Sequence, residues 1–240
     1  MKLTEVLTPS FRSLHKTLIT HHSSPICLTA ALSPTQQDRP SIIQPTADSD
    51  FCHEAVQRGW LTSQQMDHAA RRYRLGRSRS GRTIFWIIDQ QSHIRDGRIG
   101  TSWVSTMLKN REPQLLRDWH PQHCLYGLHL LSAPSSVAVV EREEAAVVLS
   151  ELLPGHLWLA TGHALRFKAD WLLPLKGCQV TLFPATDPTM DNFICWLEMA
   201  DSMNRQHRMD ITVSPILEDH ATPEQKQRRI DLLTYLADST

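Results

Sequence analysis

In the second half of the chain, short all-apolar runs alternate with segments whose apolar residues recur every three or four positions. The runs are Val137–Val140, His156–Ala160 (HLWLA), Cys178–Phe183 (CQVTLF) and Ile211–Ile216. Between them lie Glu143–Leu153, ended by Pro154-Gly155, a weaker stretch near Leu165–Leu173, and Met190–Arg205. Continuous apolar runs read as strands buried on both faces, and the longer period reads as helix. A final helix is announced by Thr222 as cap, Pro223 in its first turn and Gln225 closing a capping box, with Ile230, Leu233 and Leu236 on its apolar side. Strands alternating with helices over residues 133–240 predict a mostly parallel sheet flanked by helices. The fold class is α/β.

Residues 49–132 carry a different pattern and predict a smaller α+β subdomain. Ser49 or Asp50 caps a helix to about Arg58, ended by Gly59. Thr62 or Ser63 caps a second, whose apolar side is Met66, Ala69, Ala70 and Tyr73. An antiparallel hairpin follows, built from Tyr73–Arg77, Thr83–Asp89 (TIFWIID) and Ile94–Ile99, with turns at Ser80-Gly81 and Gln90–His93. Cys124–Leu131 is apolar enough for a strand or packed turn. Residues 1–48 hold Pro9, Pro25, Pro34, Pro40 and Pro45 and predict an extended arm.

Composition narrows the function classes. Lys plus Arg and Asp plus Glu both number 25, so the net charge is zero and no global field draws the chain to nucleic acid or membrane. Any such attraction must come from local clustering. Five scattered cysteines without a CxxC pair suit reduced thiols, a cytoplasmic setting and no zinc. No signal-peptide pattern or apolar run of roughly 20 residues is read, so no membrane contact is expected.

The charge is clustered in one place. Arg71, Arg72, Arg74, Arg77, Arg79, Arg82, Arg95 and Arg98 face only Asp89 and Asp96 across 28 residues. Interleaved with Tyr73, Phe85 and Trp86, they suit phosphate contacts and base stacking on nucleic acid, or else form a solvated surface over core aromatics. The adjacent His21-His22 pair on the arm reads as incidental, and His120, His123 and Cys124 have only part of a metal-site spacing and read as structural.

The predicted sheet assembles a second group. Open α/β sheets keep their ligand sites at the carboxyl ends of the strands. There Glu141 follows the first strand, Thr161-Gly162 the second, Asp187 lies just past the third, and Glu218 and Asp219 follow the fourth. Converging hard oxygens are what magnesium needs, although acids also collect at strand ends because loops are polar.

The ordered motifs VAVVEREEAAVV, LWLATGH and LKGCQVTLFPATD resemble the Toprim fold of bacterial primases and topoisomerases. They are most similar to the primase-like Toprim proteins of Bacteroidetes genomes and mobile elements. YRLG, TIFWIID, IRDGRIG, WVSTMLK and CLYGLHLL extend the resemblance over roughly residues 50 to 220. It implies that Glu141 is the acid/base beside a phosphodiester and that magnesium sits on an Asp-x-Asp after the third strand. In this sequence that triplet is Ala185-Thr186-Asp187, so the first aspartate is absent. The family's VESEKT becomes Val140-Glu141-Arg142-Glu143-Glu144-Ala145, its GEHLL becomes Gly127-Leu128-His129-Leu130-Leu131, and its glycine pair after ATG becomes Gly162-His163. The expectation is therefore a degenerate Toprim-like, primase-related module of DNA replication or mobile-element maintenance. It would hold magnesium weakly, have reduced or lost catalysis, and bind DNA through the arginine strip. Two alternatives remain open: an active magnesium-dependent phosphotransferase or nuclease using Glu141 and Asp187, and a protein-interaction module whose proline-rich arm docks on a replication or mobilisation protein.

Overall fold

The structure, a computed structural model, describes residues 45–111, 121–162 and 167–238. The first 44 residues, with His21 and His22, and the segment holding His120 lie outside the described residues. Helices α1 (Asp50–Gln57) and α2 (Ser63–Arg72) come first, α2 opening on the Thr62–Gln65 capping box. Strands β1 (Gly76–Arg77), β2 (Thr83–Ile88), β3 (Ile94–Ile99) and β4 (Ser102–Trp103) form one antiparallel sheet in chain order, and α3 (Val104–Arg111) runs directly from β4. The second sheet is parallel. Its strands β5 (Ser136–Val140), β6 (Leu157–Ala160), β7 (Gln179–Leu182) and β8 (Asp210–Val213) lie in the order β6-β5-β7-β8. Helix α4 (Glu143–Leu152) links β5 to β6, α5 (Asp191–His207) links β7 to β8, and three short helices end the chain: α6 (Ile216–His220), α7 (Pro223–Gln227) and α8 (Leu232–Asp238).

The apolar runs form the parallel sheet because each strand is covered on both faces. Val137, Val139 and Leu159 join one core cluster, with Trp196 and Ala200 of α5. Ala138, Val140, Trp158 and Ala160 join the other, with α4 and α8. That second cluster also holds Phe51, Met66, Tyr73, Phe85 and Ile87, so the antiparallel sheet packs on the parallel one through a shared core. Alternation along β2 explains this. Phe85 and Ile87 face the shared core, whereas Ile84, Trp86 and Ile88 pack with Ile99 and Val104 on the far side.

Several elements depart from the sequence reading. The expected final helix is two, α7 and α8, because Arg229 turns left-handed (φ 52°) and the buried Asp231 accepts from the backbone and hydroxyl of Thr234 to start α8. The weak helix near Leu165–Leu173 is a 3-10 segment, Ala169–Leu175. Cys124–Leu131 holds a single antiparallel bridge, Tyr126 to Ala160, followed by a 3-10 turn at Leu128–Leu130. Ser49 precedes α1 without capping it, its hydroxyl meeting that of Thr83 at 2.7 Å. Among the described residues no helix is long and apolar enough to cross a membrane.

Candidate functional site at the carboxyl rim and the inter-sheet junction

Parallel pairing of β5 with β7 places Glu141 and the Ala185–Asp187 loop side by side at the strands' carboxyl ends. Asn192, in the first turn of α5, ties them together. Its side-chain amide donates to Glu141 Oε1 and to the Ala185 carbonyl (2.8 Å), and its backbone N–H donates to Asp187 Oδ2 (2.9 Å). The Ala185 N–H also donates to Glu141 Oε1, at 3.1 Å. The two acids expected to be neighbours thus share one rim, bridged by a residue that the sequence reading did not single out. Its only signal was its place at the start of a helix following the Asp187 loop.

Both oxygens of Asp187 are committed to that helix. Oδ1 accepts from the Thr189 N–H (2.9 Å), the Thr189 hydroxyl (2.7 Å) and the Asp191 N–H (3.3 Å), while Oδ2 takes Asn192. Burial works to raise its pKa, but the N–H and O–H donors outweigh it and hold the carboxyl below its usual value. The side chain therefore caps α5 and lies against the positive end of its dipole. Glu218 is also spoken for, accepting from the Thr186 hydroxyl at 2.7 Å and pairing with Lys226 Nζ at 3.0 Å. Asp219 is exposed on α6.

Magnesium needs carboxylate oxygens free to take it, with room for several waters. Here Ala185 supplies no carboxylate, Asp187 caps a helix and Glu218 is neutralised by a lysine. No group of three or more potential metal ligands exists among the described residues. The residues present do not fit the ion. Adding magnesium up to ~10 mM is accordingly expected to leave the thermal midpoint unchanged, since a ligand that does not bind the native state cannot stabilise it. Asp187→Ala is expected to cost about 1–2 kcal/mol in urea unfolding, with or without magnesium, as the loss of a helix cap does.

The arginine strip divides. Arg71, Arg77, Arg79 and Arg82 are exposed, and Arg72 and Arg74 are half-buried. The other two are held in ion pairs. Arg95 pairs with Asp89 at 2.5 Å. Arg98 donates to the Gly162 carbonyl at 2.8 Å and pairs with Glu143, and with Glu144 at 3.6 Å, across the junction between the sheets. Arg98 is thus an internal strut and does not reach phosphate at the surface. The aromatics proposed for stacking are corrected too: Tyr73, Phe85 and Trp86 are all buried, at 0, 3 and 4 % exposure. Tyr73 instead donates its hydroxyl to the Trp158 carbonyl and stacks on Tyr126.

Glu143 is fully buried beside Arg98. Burial pushes its carboxyl up to about 7 against the lowering pull of the guanidinium, and Glu144 adds to the rise. Gly162 closes this corner: its φ is 76°, and a Cβ there would stand 3.1 Å from Glu143 Oε1. Any side chain at 162 meets both backbone strain and that carboxyl. Beside it, Asp96 accepts from the Ser105 hydroxyl (2.6 Å), the Ser105 and Gly97 N–H groups (3.1 and 2.7 Å) and lies 3.1 Å from His123 Nε2. His123, read from the sequence as structural, rests on a buried carboxyl group. The Cys124 thiol is pushed by burial up to about 12, which keeps it protonated.

Residues 53–186 match the model of a domain of unknown function (DUF6371), over half of the 240 residues. The chain belongs to this family. No curated protein matches the sequence. The DUF6371 match takes in the whole antiparallel sheet, every arginine of the strip, Glu141 and the Arg98–Glu143 junction. It ends one residue before Asp187, so the α5 cap, Asn192 and Glu218 lie beyond the DUF6371 segment.

Proposed function

We propose that this protein is a Toprim-like, primase-related module that binds nucleic-acid phosphates in the cytoplasm, in DNA replication or mobile-element maintenance, without magnesium-assisted chemistry at its rim. The observation that carries the reading is the outward arginine group from Arg71 to Arg82. Its only ion pairs among the described residues are Arg77 with Asp48 at 3.7 Å and Arg82 with Asp50 at 4.0 Å. These pairs are solvent-exposed and long, so they contribute little and a phosphate displaces them readily. The sheet order, with Glu141 after β5 and the Ala185–Asp187 loop after β7, supports the Toprim-like part.

Such binding is sequence-independent and salt-sensitive, because phosphate neutralisation releases counterions. The test is fluorescence anisotropy with a labelled oligonucleotide across a salt series. Arg77→Ala combined with Arg79→Ala is expected to weaken binding and to flatten the log–log salt slope by about 1.4 on single strands, at about 0.7 per contact. Absence of binding at ~50 mM salt, or an unaltered slope in the double variant, refutes the reading.

A further inference from the structure

The outward arginine group includes the turn that joins β1 to β2, Ser78–Arg82. The Ser78 N–H donates to the Arg82 carbonyl (2.8 Å), the Gly81 N–H to the Ser78 carbonyl (3.0 Å) and the Arg82 N–H to the Ser78 hydroxyl (3.0 Å), which also meets the Ser80 hydroxyl at 3.0 Å. The backbone of Gly81 is left-handed, with φ 83°, a conformation that glycine adopts without strain. The turn is also anchored on the body. The Asp50 N–H at the start of α1 donates to the Gly81 carbonyl at 3.0 Å, and Thr83 gives its N–H and its hydroxyl to Asp50 Oδ1, at 2.7 and 2.8 Å. Its tip is therefore held in one shape before any partner arrives.

Three exposed arginines share this turn. Arg79 stands at the tip between Ser78 and Ser80, small side chains on either side of a long one. Arg77 and Arg82 flank the base. Arg77 pairs with Thr83 across the ladder and reaches Asp48, whereas the Arg82 guanidinium lies over Gly100, in the turn between β3 and β4, where an added Cβ would collide with it. The nearby acids cancel little of this charge. Asp48 and Asp50 stand 3.7 and 4.0 Å from Arg77 and Arg82, Asp50 Oδ1 is committed to Thr83 and to the Phe51 N–H, and Arg79 has no ion pair among the described residues. The described aromatics are all buried or half-buried, so what this turn offers a nucleic acid is charge on a slim, rigid tip.

We propose that the Ser78–Arg82 turn presents Arg79 to the minor groove of duplex DNA, while Arg77 and Arg82 meet phosphates along the groove's rims. The inference rests on the phosphate-binding reading above and adds the substrate class: duplex over single strand, with A·T tracts preferred. The minor groove is about 6 Å wide, too narrow for a helix or a two-stranded ribbon but wide enough for one guanidinium. The serines beside Arg79 let the tip follow that side chain to the groove's mouth. A·T tracts narrow the groove and deepen its negative potential, and their floor carries acceptors only, where a G·C pair adds the guanine amino donor. A guanidinium, all donor and always charged, suits that floor.

The full chain is titrated, at fixed salt, into a labelled A·T-tract duplex, a G·C duplex of equal length and oligo(dT), and anisotropy is followed. The A·T duplex is expected to bind about ten-fold more tightly than either of the others. Arg79→Ala is expected to bring the two duplexes within about two-fold of each other. Arg79→Lys, which keeps the charge and loses the planar fork, is expected to hold the G·C affinity and lose most of the preference. Arg77→Ala, by contrast, is expected to weaken all three probes alike and to keep the preference, as the loss of a phosphate contact does. Arg79 is exposed on a turn, and circular dichroism confirms that its variants fold. Equal affinity for the two duplexes, oligo(dT) bound as tightly as the A·T duplex, or an unaltered preference in Arg79→Ala overturns the groove assignment. If that happens while Arg77→Ala with Arg79→Ala still weakens binding, the phosphate reading stands without the groove. If no nucleic acid binds, both fall.

Discussion

Arg98→Ala is expected to destabilise the protein by roughly 3–5 kcal/mol at pH 8, the penalty for stranding a buried charge whose partner is removed. The Arg98 side chain is 13 % exposed and that of Glu143 is 0 % exposed, so neither ion recovers its hydration when the other is lost. The penalty should shrink as pH falls towards 5, where Glu143 can take up a proton and cease to be a charge. In the native protein the same group produces a slope. Its folded value of about 7 lies above the ordinary value of 4.5. Between these two pH values the folded state holds more protons than the unfolded one. Stability therefore declines as pH rises from 4.5 to 7, by something on the order of 2–3 kcal/mol, and is flat beyond. Glu143→Gln should remove the decline. Urea unfolding from pH 4.5 to 8.5 measures both effects. An Arg98→Ala variant as stable as wild type at pH 8 would mean that the strut does not form and that Arg98 is free for phosphate.

That strut shows where sequence reading reaches its limit. VAVV, LWLA and QVTL are legible as strands because burial on both faces demands unbroken apolar runs, and Thr222–Gln225 is legible as a cap because the motif is local. Glu141 and Asp187 could be placed on one rim because strand ends are set by topology. What Glu141 binds could not be read, since its donors, the Asn192 amide and the Ala185 N–H, are contacts fixed only by tertiary packing. The arginine run fails for the same reason. Arg98 and Asp96 share one face of β3, and only the positions of α4, for Arg98, and of Ser105 and His123, for Asp96, show where they point. Tyr73, Phe85 and Trp86 interleave with arginines in sequence, yet the β2 alternation puts Phe85 on the shared core and Trp86 on the far cluster, and the end of α2 carries Tyr73 into the shared core. Trp103 and His123 lie 20 positions apart, so no periodicity could show that they stack.

Asp96→Ala is expected to be the other severe substitution, costing about 3 kcal/mol or more. Asp96 is fully buried and serves the Ser105 hydroxyl, two backbone N–H groups and His123. Removing it leaves several polar groups without their acceptor, each carrying up to about 1–3 kcal/mol of desolvation cost, with relief where solvent reaches the half-buried Ser105 and His123. The backbone donors matter most, because Gly97 and Ser105 cannot swing away as a side chain can. Gly97 also has no room beside it: a Cβ there would stand 2.8 Å from the Trp86 ring, so the strand cannot shift to find other partners. Asp96→Asn keeps the shape and two acceptor lone pairs, and should cost distinctly less. The ordering wild type, Asp96→Asn, Asp96→Ala in urea midpoints, with a constant denaturant slope, is the expected result. A loss below about 1 kcal/mol for Asp96→Ala would show that Asp96 does not organise the junction. His123 would then have no fixed seat where it stacks on Trp103.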